Sequence, residues 1–350
     1  MVDQNTLSER EQLILHAVVH TFITTAEAVG SRTIVKRFNL DFSPATVRNV
    51  MADLEEAGYL QQRHTSSGRV PTDLGYRYYV DYLMRVQDLT QAERSRIELE
   101  LTDKLNDADE VMRQTSQLLA LISHQTGIVV APNESRAQVR YIDLMPIAEG
   151  RVALLVADNY GRIRTVVLDL DDPMDLDEMR RLSGFLNDAL RGAALDNLAA
   201  TVQAKMQDYL DERRTLAERA VSVLSLYPAE RPGQLFLEGA TQLFEQPEFS
   251  DIAHARQVFS LLEESDRVAD LLAASMAHSQ RTGTAVVIGS ESKHADLEDI
   301  SVVAAPYHVA GREVGVLGVL GPRRMPYSKL TAVVGYTADM VGRLLTRLSR

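Results

Sequence analysis

Apolar residues recur along this chain with two periods, and the change from one to the other divides it. Before Gly127 the spacing is helical. Leu13, Ile14, Ala17, Val18 and Phe22 share one helix face, and Ser8 with Glu11 forms the S-x-x-E capping box that would open that helix. Ser31 is placed to cap a second, short helix ending at Phe38, which would bury Ile34, Val35 and Phe38 and leave Arg32 and Lys36 outside. Asn39 to Phe42 makes a turn. A third helix is marked by Ser43 at the N-cap and Pro44 at the first helical position, where the missing N–H costs nothing. Its inner face is Val47, Val50, Met51 and Leu54, and Gly58 supplies a left-handed stop. Leu60 to His64 then reads as a strand, Thr65 to Gly68 as a turn, and Arg69-Val70 as the returning strand.

Thr72 can cap the next helix, in which Tyr76, Tyr78, Tyr79 and Tyr82 interleave with Arg77. That pattern permits base stacking, but packing on the N-terminal module and leading out of it explains the same residues. Val86 to Leu89 is a plausible boundary. Thr90 and Glu93 form a second capping box, followed by a stripe of Ile97, Leu101, Leu105, Ala108, Met112, Leu119 and Ile122. Asn106-Asp107 can break it. Too few large residues line the stripe near Thr115 for a continuous coiled-coil seam, which favours a connecting helix packed on the next domain.

From Gly127 the period is that of strands. Ile128 to Ala131, Val139 to Ile147, Val152 to Ala157 and Ile163 to Leu170 read as strands, with Asn159-Tyr160-Gly161 as a turn. Strands resume at Ala285 to Ile288, Ile300 to Val309 and Val314 to Leu320, and a helix closes the chain from about Tyr327 to Leu345. Between them, Leu182, Phe185, Leu186, Ala189 and Leu190 give an amphipathic helix. Leu195 to Leu224 gives another, and Ile252 to Met276 gives two short ones. Periodicity therefore predicts an α+β domain with a helical insertion from about Pro173 to Gln280.

Composition narrows the function. At 350 residues the chain should hold two or three domains, and its 45% apolar content allows packed cores. No apolar run approaches the roughly 18 residues that suggest a membrane span. The polar, acidic start Met1-Val2-Asp3-Gln4 is unlike a signal peptide. Cysteine is absent, which excludes disulfides and thiolate metal sites and fits a cytoplasmic protein. The net charge of −12 is unevenly spread: Met1 to Val86 carries nine basic against ten acidic residues, leaving 28 against 39 for the remainder. Between Gly30 and Val50, Arg32, Lys36, Arg37 and Arg48 face Asp41 alone. A basic face survives in an acidic body, so DNA affinity should be modest and steeply salt-dependent.

That face is where chemistry is expected. The outer side of the third helix carries Ala45, Arg48, Asn49 and Ala52, with Thr46 at its edge. Small residues allow close approach to a major groove, Arg can read guanine and Asn can read adenine. Arg63, His64 and Arg69 would flank the hairpin tip, where phosphates pass. Three helices and a basic hairpin in about 80 residues look like a winged helix-turn-helix.

A family resemblance sits on the same residues. SRTIVKRFNLDFSPATVRNVMADLEEAGYLQQRHTSSGRVPTDLGYRYYVDYLM resembles the DNA-binding domain of heat-inducible transcription repressors of the HrcA type. GQLFLEGATQLFEQPEFSD and GREVGVLGVLGPRRMPYSKLTAVVGYTADMVGRLL resemble the same family, so the likeness spans Leu7 to Leu345. It implies a winged helix-turn-helix over 1–88 and a GAF-like domain over 89–172 and 281–350, interrupted at 173–280 by an inserted, largely helical dimerisation domain. It further implies a homodimer on an inverted-repeat operator of chaperone genes, modulated by a GroEL-type chaperonin whose shortage on heat shock releases repression. By analogy with the family, Ser43, Thr46, Arg48 and Asn49 are expected near bases, and Arg32, Arg63, His64 and Arg69 near phosphates.

Other chemistry is weakly supported. Gly315, Gly318 and Gly321 lack the G-x-G-x-x-G spacing and a following helix start. Asp169, Asp171, Asp172, Asp175 and Asp177 lack the glycine and terminal glutamate of a calcium loop, and a solvated loop before a helix explains them. His16 and His20, four apart on the first helix, have no third ligand nearby in sequence. No nucleophile elbow or P-loop occurs, so no enzymatic activity, metal or cofactor is expected. The alternative reading is a regulator whose GAF-like pocket senses a metabolite.

Overall fold

The computed structural model describes residues 7–62, 68–102, 108–132, 137–148, 150–170, 172–205, 211–226, 234–244, 246–249, 283–292 and 298–348, with isolated positions between 260 and 272. The chain is α+β and holds several sheets.

The N-terminal module follows its pattern closely. Helix α1 (Glu9–Thr25) opens on the Ser8/Glu11 capping box, with Ser8 N donating to the Glu11 carboxylate at 2.7 Å. It buries Ile14, Leu15, Ala17, Val18, Val19 and Phe22, while Leu13 lies just outside that arc and is 41% exposed, contrary to expectation. Helix α2 (Ser31–Phe38) starts one residue earlier than expected. Gly30 is its N-cap, and the Gly30 carbonyl accepts from Thr33 and Ile34, so Ser31 is already helical and does not cap. Helix α3 (Pro44–Glu56) has Ser43 as its cap, accepting from Thr46 N–H. It ends in a Schellman turn: Tyr59 N–H reaches the Leu54 carbonyl, Gly58 N–H reaches Glu55, and Gly58 takes φ of 82°. Strands β1 (Leu60–Gln62) and β2 (Arg69–Pro71) pair antiparallel behind it. Arg63, His64 and the turn between these strands lie outside the described residues.

Thr72 caps helix α4 (Asp73–Tyr78), which runs on through a π-helical turn, Tyr79–Leu83. The expected packing on the N-terminal module is present, with Tyr59 against Tyr78 and His16 against Tyr79. The same helix also docks on the following domain. Tyr76 is buried against Tyr327, Arg77 donates to the Val286 carbonyl at 2.6 Å and pairs with Glu291, and Asp73 pairs with Arg323 at 3.0 Å. Arg324 completes the joint, bonding Glu248 and the Ile23 carbonyl at the end of α1.

Helix α5 (Gln91–Thr102), capped by Thr90 and Glu93, and helix α6 (Ala108–Ser123) follow, and the expected break at Asn106-Asp107 lies outside the described residues. Ile97, Leu101, Ala108, Met112 and Leu119 are all fully buried, as befits a connecting element; Leu105 lies outside the described residues. The following strands are β3 (Thr126–Val130), β4 (Val139–Ala148), β5 (Arg151–Asp158) and β6 (Ile163–Asp169). Helices α7 (Leu176–Leu190), α8 (Leu198–Lys205) and α9 (Asp211–Ser225) come next, then β7 (Leu235–Glu238) and α10 (Ala240–Phe244). The chain ends with β8 (Ala285–Ile288), β9 (Ile300–Val309), β10 (Arg312–Pro322) and α11 (Tyr327–Leu348).

The strand positions match the sequence pattern except for β7, which the sequence reading did not expect, and their pairing does not give one sheet. β7, β3, β10, β9 and β8, in that order, form a five-stranded antiparallel sheet, whereas β4, β5 and β6 form a separate three-stranded meander. Two expected assignments therefore change. The strands of Val139 to Leu170 do not join β3, β9 and β10. Conversely, β7 lies inside the expected insertion yet pairs with β3, Ile128 opposite Leu237. The stretch outside the five-stranded sheet thus begins before Val139 and closes before Leu235, earlier at both ends than Pro173 to Gln280.

Alternation assigns the five-stranded sheet two apolar faces. Val129, Val303, Ala305, Leu317 and Val319 join the core formed by α6 and α11. Ile128, Ile300, Val302, Val316 and Leu320 face the other way, against Leu243, Phe249, Leu262, Val268 and Leu272. Among the described residues, the three-stranded sheet is covered on one face only. Ile142, Leu144, Val152, Leu154 and Leu168 pack with α7, whose Asn187 amide bonds both the N–H and the carbonyl of Ile142 on the edge strand β4. The opposite face leaves Tyr141, Met145, Ile163 and Val167 between 44% and 65% exposed.

Candidate nucleic-acid interface

Helix α3 divides its residues as its pattern demands. Val47, Met51 and Leu54 are sealed inward against α1 and α2, which leaves Ala45, Arg48, Asn49 and Ala52 on the solvent side. Arg48 and Asn49 have no hydrogen-bond or ion-pair partner among the described residues, so their donors are free to meet a ligand. Ser43 and Thr46 sit at the N-terminus of the same helix, tied together. The Ser43 hydroxyl accepts from Thr46 N–H at 3.1 Å, and the two hydroxyls are 2.9 Å apart. Ser43 is therefore first a cap, which fixes where the helix begins, and its hydroxyl is only secondarily a contact.

Arg32 is exposed in the first turn of α2, and Lys36 and Arg37 are exposed in its last turn. The structure thus brings Ser43, Thr46, Arg48 and Asn49 together on α3 and leaves Arg32 on the neighbouring helix.

Arg69 is engaged differently from the sequence expectation. Its guanidinium Nε donates to Glu55 Oε2 at 2.8 Å and its Nη2 lies 2.7 Å from the same oxygen, with the Arg69 side chain only 16% exposed. Glu55 is in the last turn of α3, so the pair braces strand β2 against the helix. The backbone of Arg69 is also held, exchanging two hydrogen bonds with Val29 at 2.9 and 3.0 Å. Gly68 permits that approach: a Cβ there would stand 2.4 Å from the Val29 carbonyl carbon. Glu55 and Val29 escaped the sequence reading because nothing local in their segments marks a partner more than a dozen residues away. Arg10 was also missed; it stacks over the Phe42 ring at 5.0 Å and stiffens the approach to α3.

This arrangement can seat a rigid, small-residue helix in a groove, offer two planar donor groups to base edges, and hold a hairpin at a set angle beside it. Among the described residues no cluster of three or more His, Asp or Glu side chains is placed to hold a metal ion, and no helix is long and apolar enough to cross a membrane.

The family profile "HrcA protein C terminal domain" matches residues 109–331. The heat-inducible transcription repressor HrcA of Geobacter sulfurreducens is 40% identical over 340 residues, covering 97% of this chain and 98% of that protein. The protein of the same name from Pelotomaculum thermopropionicum is 36% identical over 347 residues, 98% of each chain. Among solved structures, a crystal structure titled as a hypothetical protein aligns with a TM-score of 0.69 at 20% identity, covering 98% of this chain and 100% of that one, which shows a shared fold.

Proposed function

This chain belongs to the HrcA family of heat-inducible transcription repressors, and from that premise we propose how it represses. It is a negative regulator of heat-shock transcription. Its N-terminal module acts as a winged helix-turn-helix that lays α3 in the major groove. Arg48 and Asn49 read base edges, with Thr46 and the Ser43 cap close by. Arg32, with Arg63 and His64 of the hairpin turn, holds phosphates, and Arg69 chiefly sets the angle of the hairpin. The observation that carries this reading is the outward face of α3, where two planar donors with no partner among the described residues stand among alanines beside a braced hairpin.

The five-stranded sheet with α6 and α11 serves as the GAF-like body. The stretch carrying the three-stranded sheet is the inserted dimerisation unit, and its bare apolar face pairs with that of a second copy. Burying Tyr141, Met145, Ile163 and Val167 removes exposed apolar surface of the kind that marks interaction sites. Two-fold symmetry then requires an inverted-repeat operator. No catalytic step is involved. A repressor works where its operator is, which places this one in the cytoplasm.

Release on heat shock runs through folding. β3 pairs with β10, Ile128 opposite Gly318, so a central strand waits for a partner near the end of the chain. Such non-local pairing folds slowly and exposes apolar surface on the way. A GroEL-type chaperonin raises the folded fraction, and unfolded clients compete for it during heat shock.

Arg48→Ala tests the groove contact. Its affinity for the operator should fall by about 1–3 kcal/mol while binding to unrelated DNA holds. An equal loss on both would remove Arg48 from base reading.

A further inference from the structure

A crevice of about 430 Å³ lies where the DNA-binding module meets the body, walled by α1 on one side and the start of α11 on the other. Four basic side chains line it: His16 and His20 from α1, Arg85 from the linker and Lys329 from α11. Among the described residues, no carboxylate does. Ile23, Leu83 and Pro326 supply apolar walls, with the edge of the largely buried Tyr79 ring beside them. The two imidazoles stack with centroids 6.0 Å apart and planes 21° from parallel, steadied edge-on by Phe38. Lys329 already has one anionic neighbour, Glu93 at 2.9 Å on α5. Arg85 has no ion-pair partner among the described residues.

We propose that this crevice is a binding site for a small organic anion with a ring-sized apolar body, such as an aromatic carboxylate. Ile23, Leu83 and Pro326 would take the body, and His16, His20, Arg85 and Lys329 would take the charge. The size is within the range of small-molecule pockets, and a few convergent polar groups over apolar walls is the usual make-up of such sites. Because both modules wall the crevice, an occupant touches both at once.

Protonation should accompany binding. Burial lowers the affinity of His16 and His20 for a proton. His20 adds to that effect at His16, as Arg37 does at His20. The groups facing the pair are Arg37 on α2, Tyr79 on the π-helical turn after α4, Arg85 on the linker and Lys329 on α11, with Glu93 beyond Lys329. None except Glu93 is an acid that would favour an imidazolium. An incoming carboxylate supplies the missing negative charge and raises the imidazole pKa values, so a proton is taken up and affinity rises as pH falls.

The test is calorimetric titration of the full chain with benzoate, with benzyl alcohol as the uncharged analogue and acetate as the ringless one. Benzoate should bind saturably, at least about tenfold more tightly than either analogue. It should bind more tightly at about pH 6 than at about pH 7.5, on either side of an ordinary imidazole. Lys329→Met and the double variant His16→Leu/His20→Leu should each weaken it about fivefold or more, while Arg343→Met, away from the crevice, should not. Lys329→Met lies on the exposed side of the crevice and guards against misfolding of the histidine variant. Benzoate binding no better than benzyl alcohol, or binding indifferent to both sets of variants, would overturn the proposal.

Discussion

The two larger sheets are both antiparallel, yet they meet their surroundings differently. In the five-stranded sheet both faces are sealed, one by α6 and α11 and the other by Leu243, Phe249, Leu262, Val268 and Leu272. In the three-stranded sheet α7 seals one face and one edge, and the other face is left with tyrosine, methionine, isoleucine and valine in solvent. The difference is already in the sequence. ISVVAAPYHV in β9 is apolar almost throughout, as a strand covered on both sides must be, while β6 reads IRTVVLD and buries only Leu168 fully. One sheet is a core. The other is half a core, and its uncovered half is what a second copy would complete.

The sharpest way to break the comparison is to make a similar truncation in each sheet. Leu317→Ala, at 0% exposure in the centre of β10, should cost about 2–5 kcal/mol of unfolding free energy through lost burial and a residual cavity. Val167→Ala, on the bare face, should cost under about 0.5 kcal/mol when measured at a protein concentration low enough to populate the monomer. Denaturant titration compares them directly. Similar costs would mean that the bare face is packed within the protomer.

The next effect is on DNA. Ile163→Asp with Val167→Asp puts two charges on the bare face and should leave each protomer folded. Operator affinity, measured by fluorescence anisotropy, should fall by about a hundredfold as the linkage between half-sites is lost. Affinity for an isolated half-site should not change.

Smaller effects separate these sheets from the hairpin, which is too short to have a core of its own. Ser43→Ala should cost about 1 kcal/mol by removing the cap of α3. Arg69→Met should cost up to about 1 kcal/mol, since the Glu55 pair is only partly screened from solvent, and should loosen operator binding a few-fold. If Arg69→Met instead lowers the salt slope of binding by about one charge, Arg69 touches a phosphate after all.

Local structure was legible because it is written locally. The Ser8/Glu11 box, the Ser43-Pro44 start, the Gly58 stop, the Thr72 cap and the limits of nearly every strand follow from neighbouring residues. The partition of strands between sheets was not, because pairing is long-range. Nothing within Leu235-Phe236-Leu237-Glu238 says that it lies beside Gly127 to Val130. The same holds at the interface. The outward face of α3 could be read from helical spacing, but the engagement of Arg69 depends on Glu55, which reaches it only when the hairpin folds back. Ser31 failed as a cap because Gly30 supplies the first helical carbonyl.

In the proposed dimer, the bare face of the three-stranded sheet joins two copies. Sedimentation equilibrium of the full chain and of Ile163→Asp/Val167→Asp, with far-UV circular dichroism to verify the fold, tests it most directly. The parent chain should be a dimer and the variant a folded monomer at the same concentration. A variant that keeps its fold and dimerises as tightly as the parent would contradict it.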